Sequence, residues 1–240
     1  MRANALKPDV AARASTNSPC RKIMISTDEI RSFVEEQIHD LADGEPLDAR
    51  TSALIAYGVR VSAAALDMEG SEAFARLALD SGASIEQVTE ALLLVSGLGV
   101  HSLMEGATQL VRLESERSHQ AVSNELEGVQ AELWNRYVGD DPYWSTLEQE
   151  KPGFLEALLR LSPGGFKAFF DFCAVPWTTR ALPALVKEYI SMAVDACPSH
   201  QYLPGLRLHL ANARKLGAGR VAILETLAIA ASAPQHSGIR

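Results

Sequence analysis

Residues 187–225 read KEYISMAVDACPSHQYLPGLRLHLANARKLGAGRVAILE. Two segments with apolar residues every three or four positions flank a bend built around Pro198, Pro204 and Gly205, and a third begins beyond Gly217. That spacing is the period of an amphipathic helix, 3.6 residues per turn. Glu188 and His209 stand where such helices place apolar or interface residues.

The stretch partly repeats an earlier one. Shifted by 135 positions, Gly82-Ala83 falls on Gly217-Ala218, Glu90 on Glu225, His101 on His236 and Gly70 on Gly205, and EALLLVSGLGVH overlays ETLAIAASAPQH without a gap. Each copy reads helix, glycine-containing bend, helix, Gly-Ala turn, helix. Such self-similarity fixes the architecture early. The expected fold is all-α, with two tandem helical repeats related by a pseudo-twofold. The copies differ where chemistry sits: Glu188 overlays Ala53, His209 Phe74, His200 Ala65 and Tyr202 Asp67. The polar set belongs to the second copy, and the first reads as structural.

The rest of the chain supports this class. Ser-Thr-Asp-Glu at 26–29 is an N-cap signal for a helix running to Gly44-Glu-Pro46. Helices are predicted over about 48–65 and 71–80, the latter stopped by Gly82, and Ser84-Ile-Glu-Gln87 caps a fourth. From His101 the pattern predicts one long polar-rich helix to Val138, broken by Gly139-Asp-Asp-Pro142. Two short aromatic-rich helices follow, around PGFLEALLRL and GGFKAFFDFCAV, with Pro176 and Pro183 punctuating the approach to the opening stretch. No convincing β alternation occurs. The expected division is 1–25 as a disordered extension, 26–138 as the first repeat with a long connecting helix, and 139–240 as the second repeat carrying the site.

Composition narrows the function classes. A net charge of −8 over 240 residues argues against a nucleic-acid groove, which needs clustered Lys and Arg. Cys20, Cys173 and Cys197 form no CxxC pair, which excludes a dithiol redox motif and a cysteine-rich zinc knuckle. The longest apolar run, 91–100, is about half of what spans a bilayer. Residues 1–22 are basic, Ala/Ser-rich and without helical amphipathicity. The expectation is a cytoplasmic protein with reduced thiols, no membrane partner and no metal: His200 and His209 are nine apart and lack an acidic third ligand at helical spacing.

At 100° per residue, His209 lies within the apolar arc of Leu206, Leu210, Ala213 and Leu216, with Arg207, Arg214 and Lys215 opposite. Glu188 lies at the edge of its own arc, one turn from Leu185 and Met192. An inward carboxylate must find a partner or raise its pKa, and an imidazole beside it can be held in one tautomer for proton transfer. A hydrogen-bonded core histidine explains the same pattern without catalysis, and both readings stand. His200 and Tyr202 lie on the bend, where loop residues can face a pocket. His101 and His236 follow helices they can cap. Glu225 recurs in the structural copy as Glu90, which favours a structural bond for it.

The pattern KExIxxAVDA, a bend, PGLRxHxxNAxxxGA and a helix around a glutamate resembles the carboxymuconolactone decarboxylase family, which includes alkylhydroperoxidase D. RTSALIAYGV and LALDSGASIEQVTEALLLVSGLGVHS resemble it more faintly. The resemblance implies an all-helical fold and a homo-oligomer, a dimer or trimer. In the peroxidase branch a helix Glu, a CxxC and a His relay protons; Glu188 and His209 match the first and last, while the cysteine positions fall on His200, Tyr202 and Gly205. Thiol peroxidase activity is therefore not expected. What remains resembles the cysteine-free decarboxylase branch, a lyase or isomerase acting on a small activated acid or lactone without a cofactor. Glu188, His209 and His200 would be catalytic, with Tyr202 and His236 binding substrate. The alternative is a non-catalytic oligomeric or ligand-binding scaffold with an eroded relay.

Overall fold

The computed structural model describes residues 25–119 and 125–236, and the expected N-terminal extension lies almost wholly outside them. Among the described residues there are twelve α-helices, one 3-10 turn and no strand. The first four are α1 (Thr27–Gln37), α2 (Ala49–Val61), α3 (Met68–Asp80) and α4 (Ile85–Ser96). After the 3-10 turn Gly97–Gly99 come α5 (Val100–Ser118), α6 (Val129–Tyr137), α7 (Pro142–Glu150), α8 (Phe154–Leu161) and α9 (Pro163–Thr179). The last three are α10 (Ala184–Ala196), α11 (Leu203–Lys215) and α12 (Arg220–Ala231).

The caps read from sequence are made. Ser26 and Glu29 exchange backbone–side-chain bonds at the start of α1, and Ser84 and Gln87 do the same at α4. Each reciprocal pair satisfies two backbone donors that the first helical turn leaves open. Helix bounds recur at a spacing of 135 residues in α2/α10, α3/α11 and α4/α12. So do the bends: Leu66 and Gln201 both take φ near +50°, at 45° and 50°, and Gly82 and Gly217 take +90° and +87°. The amide of Asp67 bonds the carbonyl of Arg60 at 2.9 Å, as the amide of Tyr202 bonds that of Asp195 at 2.8 Å.

Two apolar clusters hold the chain together. One joins α1–α4 to α10–α12 around Leu54, Ile55, Ile190, Met192, Leu206 and Ile223. The other gathers Phe154, Phe166, Phe169 and Phe170 with Met104, and only Leu208 of α11 reaches into it. The first cluster thus runs across the expected division at 138/139. Gly58 marks how closely α2 meets α10: a Cβ there would lie 2.9 Å from the Ile190 side chain.

Three helix predictions need correction. The long helix over 101–138 is two helices: α5 ends where His119 turns into the left-handed region at φ 53°, and α6 starts only at Val129. The apolar stripe thins across this stretch, so packing does not enforce continuity. Helix α7, opened by Asp141 accepting from the Tyr143 amide with Pro142 in its first turn, was not predicted. Pro176, expected to punctuate the approach to the stretch from Lys187, lies inside α9; its carbonyl accepts from the buried Lys187 ammonium at 2.6 Å.

The continuous helical run Ile85–Ser118 spans 34 residues and, by length and composition alone, is long and apolar enough to cross a membrane, which the ten-residue apolar run did not suggest. Its inner side is occupied instead by the core, through Val88, Glu90, Ala91 and Val95.

Candidate active site

The polar residues converge where the two apolar clusters meet. A cavity of about 940 Å³ opens there, walled by parts of α4, α5, α7, α9, α10 and α11. Its lining is dominated by Met104, Tyr143, Trp144, Phe169 and Phe170, with Glu188, Asp195, Tyr202, His209 and Asn212 supplying polar groups. An apolar hollow with a few convergent polar groups is the usual form of a small-molecule site.

Glu188, on α10, is buried at 3% exposure. Its Oε2 lies 2.7 Å from Nδ1 of His209 on α11, and its Oε1 accepts from the Asn212 amide at 3.3 Å. With Nδ1 bonded to a carboxylate, Nδ1 carries the hydrogen and Nε2 is left to gain or lose a proton. Burial works against a charged ring, but the bond to Glu188 and the charges of Glu188 and Asp195 outweigh it and hold the His209 pKa above its ordinary value. The expected inward pair is therefore a direct contact.

Seven residues along α10 from Glu188, on the same stripe, lies Asp195. It is 2% exposed, and burial lifts its pKa to about 7, against the pull of His209. Its Oδ2 stands 3.9 Å from His209 Nε2 and has no hydrogen-bond partner among the described residues. Gly205 makes room for it: a Cβ there would lie 2.2 Å from Asp195 Oδ2.

On the other side of Asp195, His101 Nδ1 and His200 Nε2 are 2.7 Å apart. Each lies 3.7 Å from Asp195 Oδ1. Burial lowers the pKa of both, that of His101 to about 3 with help from the charges of His200 and His209. Tyr202 stacks on the His101 ring at 3.9 Å between centroids, and its hydroxyl donates to Glu105 at 3.0 Å. Glu105 in turn pairs with Lys151 at 2.5 Å.

Of the residues expected from sequence, Glu188, His209 and Tyr202 line this cavity, and His200 joins through Asp195 and His101. His236 does not line it; the residue is exposed beyond the end of α12. Glu225 makes a structural bond, accepting from the Leu47 amide at 2.6 Å, as Glu90 does from the Ala181 amide at 2.7 Å. Lys215, which helical phase sets opposite His209, is nonetheless among the lining residues, because the cavity reaches round the C-terminal end of α11. Asp195, Asn212, Tyr143 and the role of His101 are added by the structure. Asp195 alone had a sequence signal, its spacing from Glu188; His101 comes from a helix 94 positions away from Asp195 and could not be paired with it.

No family model and no curated protein matches the chain. A solved structure from Burkholderia xenovorans LB400, described as a candidate gamma-carboxymuconolactone decarboxylase subunit, matches with TM-score 0.66 and 30% identity over 82% of this chain and 74% of that one. The chain belongs to the carboxymuconolactone decarboxylase family. Its helical fold accords with that membership; among the described residues Cys173 and Cys197 are both free thiols, and burial raises both thiol pKa values, that of Cys173 to about 11.

Proposed function

We propose that this protein is an acid/base lyase or isomerase of the decarboxylase type, acting on an activated carboxylic acid or lactone. The observation that carries the reading is the 2.7 Å contact between the buried Glu188 carboxylate and His209 Nδ1 at the wall of the cavity. A carboxylate that fixes an imidazole's tautomer leaves the other ring nitrogen poised for proton transfer.

In the decarboxylation, the bond between the substrate carbon and its carboxylate breaks and CO2 leaves. The electron pair moves into a conjugated carbonyl or lactone, and His209 Nε2 delivers a proton to the carbon. The ring regains a proton from water. Glu188 orients the ring and stabilises the imidazolium, while Asn212 holds the second Glu188 oxygen. Tyr202 borders the substrate space, and His200 lies behind it, beside His101. The cavity admits more than a minimal acid, and its aromatic wall suits a substrate with an apolar portion.

The test is a screen of lactones and β-keto acids for CO2 release or absorbance change, followed by His209→Gln. That variant should lose about 100- to 10,000-fold in kcat while circular dichroism and oligomeric state stay unchanged. Full activity in folded His209→Gln would refute the role and leave the scaffold reading.

A further inference from the structure

We propose that His101, His200 and Asp195 form a binding site for one divalent first-row transition-metal ion on the wall of the same cavity. The expectation of no metal rested on spacing within one stretch, and this group draws on two. His101 comes from α5, Asp195 from the end of α10 and His200 from the bend that follows.

Three ligand atoms converge here, and the two imidazoles share a hydrogen bond that a bound cation would replace. His101 Nδ1 and His200 Nε2 are 2.7 Å apart, and each stands 3.7 Å from Asp195 Oδ1. At 3.7 Å the carboxylate is beyond hydrogen-bond reach of either ring, yet it is aimed at both. The point equidistant from the three atoms lies about 2.0 Å from each, a distance at which imidazole nitrogen and carboxylate oxygen bind zinc and similar ions. A cation there would also answer for the carboxylate: Asp195 is 2% exposed and its Oδ2 has no hydrogen-bond partner among the described residues. Burying an unpaired carboxylate is costly. Gly205 keeps the space over it open, since a Cβ there would lie 2.2 Å from Oδ2.

Two imidazoles and one carboxylate suit zinc, iron, cobalt, nickel or manganese in the divalent state, and leave coordination positions for water or substrate oxygen. The site deepens the acid/base reading: a substrate carboxylate or carbonyl bound there would sit beside His209, whose Nε2 is 3.9 Å from the other Asp195 oxygen. The metal inference stands or falls separately from the catalytic role of His209.

Chelator-treated full-length protein is titrated with Co²⁺ and followed in the visible range, with Zn²⁺ competition and metal analysis of the untreated protein. One equivalent of Co²⁺ should bind with d–d bands that Zn²⁺ abolishes, and Zn²⁺ should raise Tm. His101→Ala, His200→Ala and Asp195→Asn should each weaken Co²⁺ at least 100-fold, their folding checked by circular dichroism. Glu188→Gln should leave Co²⁺ affinity within about threefold. Absence of bands at 1 mM Co²⁺ on folded wild type overturns the site, as do bands that survive in a folded His101→Ala/His200→Ala protein. If Co²⁺ binds but His209→Gln stays active, the metal site stands and the acid/base assignment fails. If His209 is essential but Co²⁺ does not bind, the reverse holds.

Discussion

At Gly205, one missing methyl group decides whether Asp195 can stand where it does. A Cβ would approach Asp195 Oδ2 to 2.2 Å and Tyr202 Cδ1 to 2.9 Å, and both neighbours belong to the cluster at the cavity. We predict that Gly205→Ala costs about 1–3 kcal/mol, the usual range for overpacking a buried position. Activity should fall further than the stability loss explains, because Asp195 and Tyr202 must move. Thermal melting and kinetics on one preparation check this; unchanged Tm and turnover would show that the space is not needed. Single residues also mark how far the sequence could be read. Helical phase turned Glu188 and His209 inward, which is enough to bring them together once two helices pack. Asp195 sat seven positions from Glu188, on the same stripe, but its partners lie on other segments. His101 had only its position after a helix to recommend it. Pairings between distant segments depend on tertiary packing, which a one-dimensional pattern does not encode.

Among the elements, α4 and α10 are tied by a buried ion pair. Glu90, 1% exposed, meets the Lys187 ammonium at 2.5 Å and also accepts from the Thr179 hydroxyl and the Ala181 amide. Burial raises the Glu90 pKa, but the Lys187 bond, the Thr179 and Ala181 bonds and the Lys187 charge lower it more, leaving it below its ordinary 4.5. A depressed folded pKa contributes stability above the unfolded value and loses it as pH falls through the folded one. Glu90→Gln should therefore cost about 3–5 kcal/mol at pH 7, the range for breaking a buried pair. Below pH 4.5 the gap to wild type should narrow. Urea unfolding at several pH values measures both, and a gap independent of pH would show that the Glu90 pKa is the same in the folded and unfolded chain. The double change Glu90→Leu with Lys187→Met should cost less than either single change. Helix identity was legible where caps and apolar period coincide, as at Ser26 and Ser84. It failed at α5–α6, where the stripe thins and a left-handed His119 ends the helix with no glycine or proline to announce it.

Over the whole molecule, the matching bounds of α2–α4 and α10–α12 are what a duplication of one three-helix unit would leave, and we read the chain that way. The helices α5–α9 between the copies complete the cavity around the second. One surface remains to be accounted for. Leu92, Leu103, Leu110 and Leu113 are exposed at 40%, 37%, 56% and 40%, and at 100° per residue they share one side of the run Ile85–Ser118. Glu90 and its ion pair occupy the inner side of that run, so the stripe is an outer face on an otherwise globular chain. We read these leucines as an interaction surface, with a second copy of the chain as the occupant that the family resemblance implies. Closed symmetry would set the stripe against its own counterpart. We predict an oligomer in solution by sedimentation velocity, and Leu103→Glu with Leu110→Glu should shift it to monomer while the helical signal is retained. The cavity lies on other faces of α5 and on α10 and α11, so a monomeric variant should keep Co²⁺ binding within about threefold. A wild type that sediments as a monomer at micromolar concentration would remove the second copy. Binding of that wild type to lipid vesicles, lost in the glutamate variant, would then assign the stripe to a membrane surface.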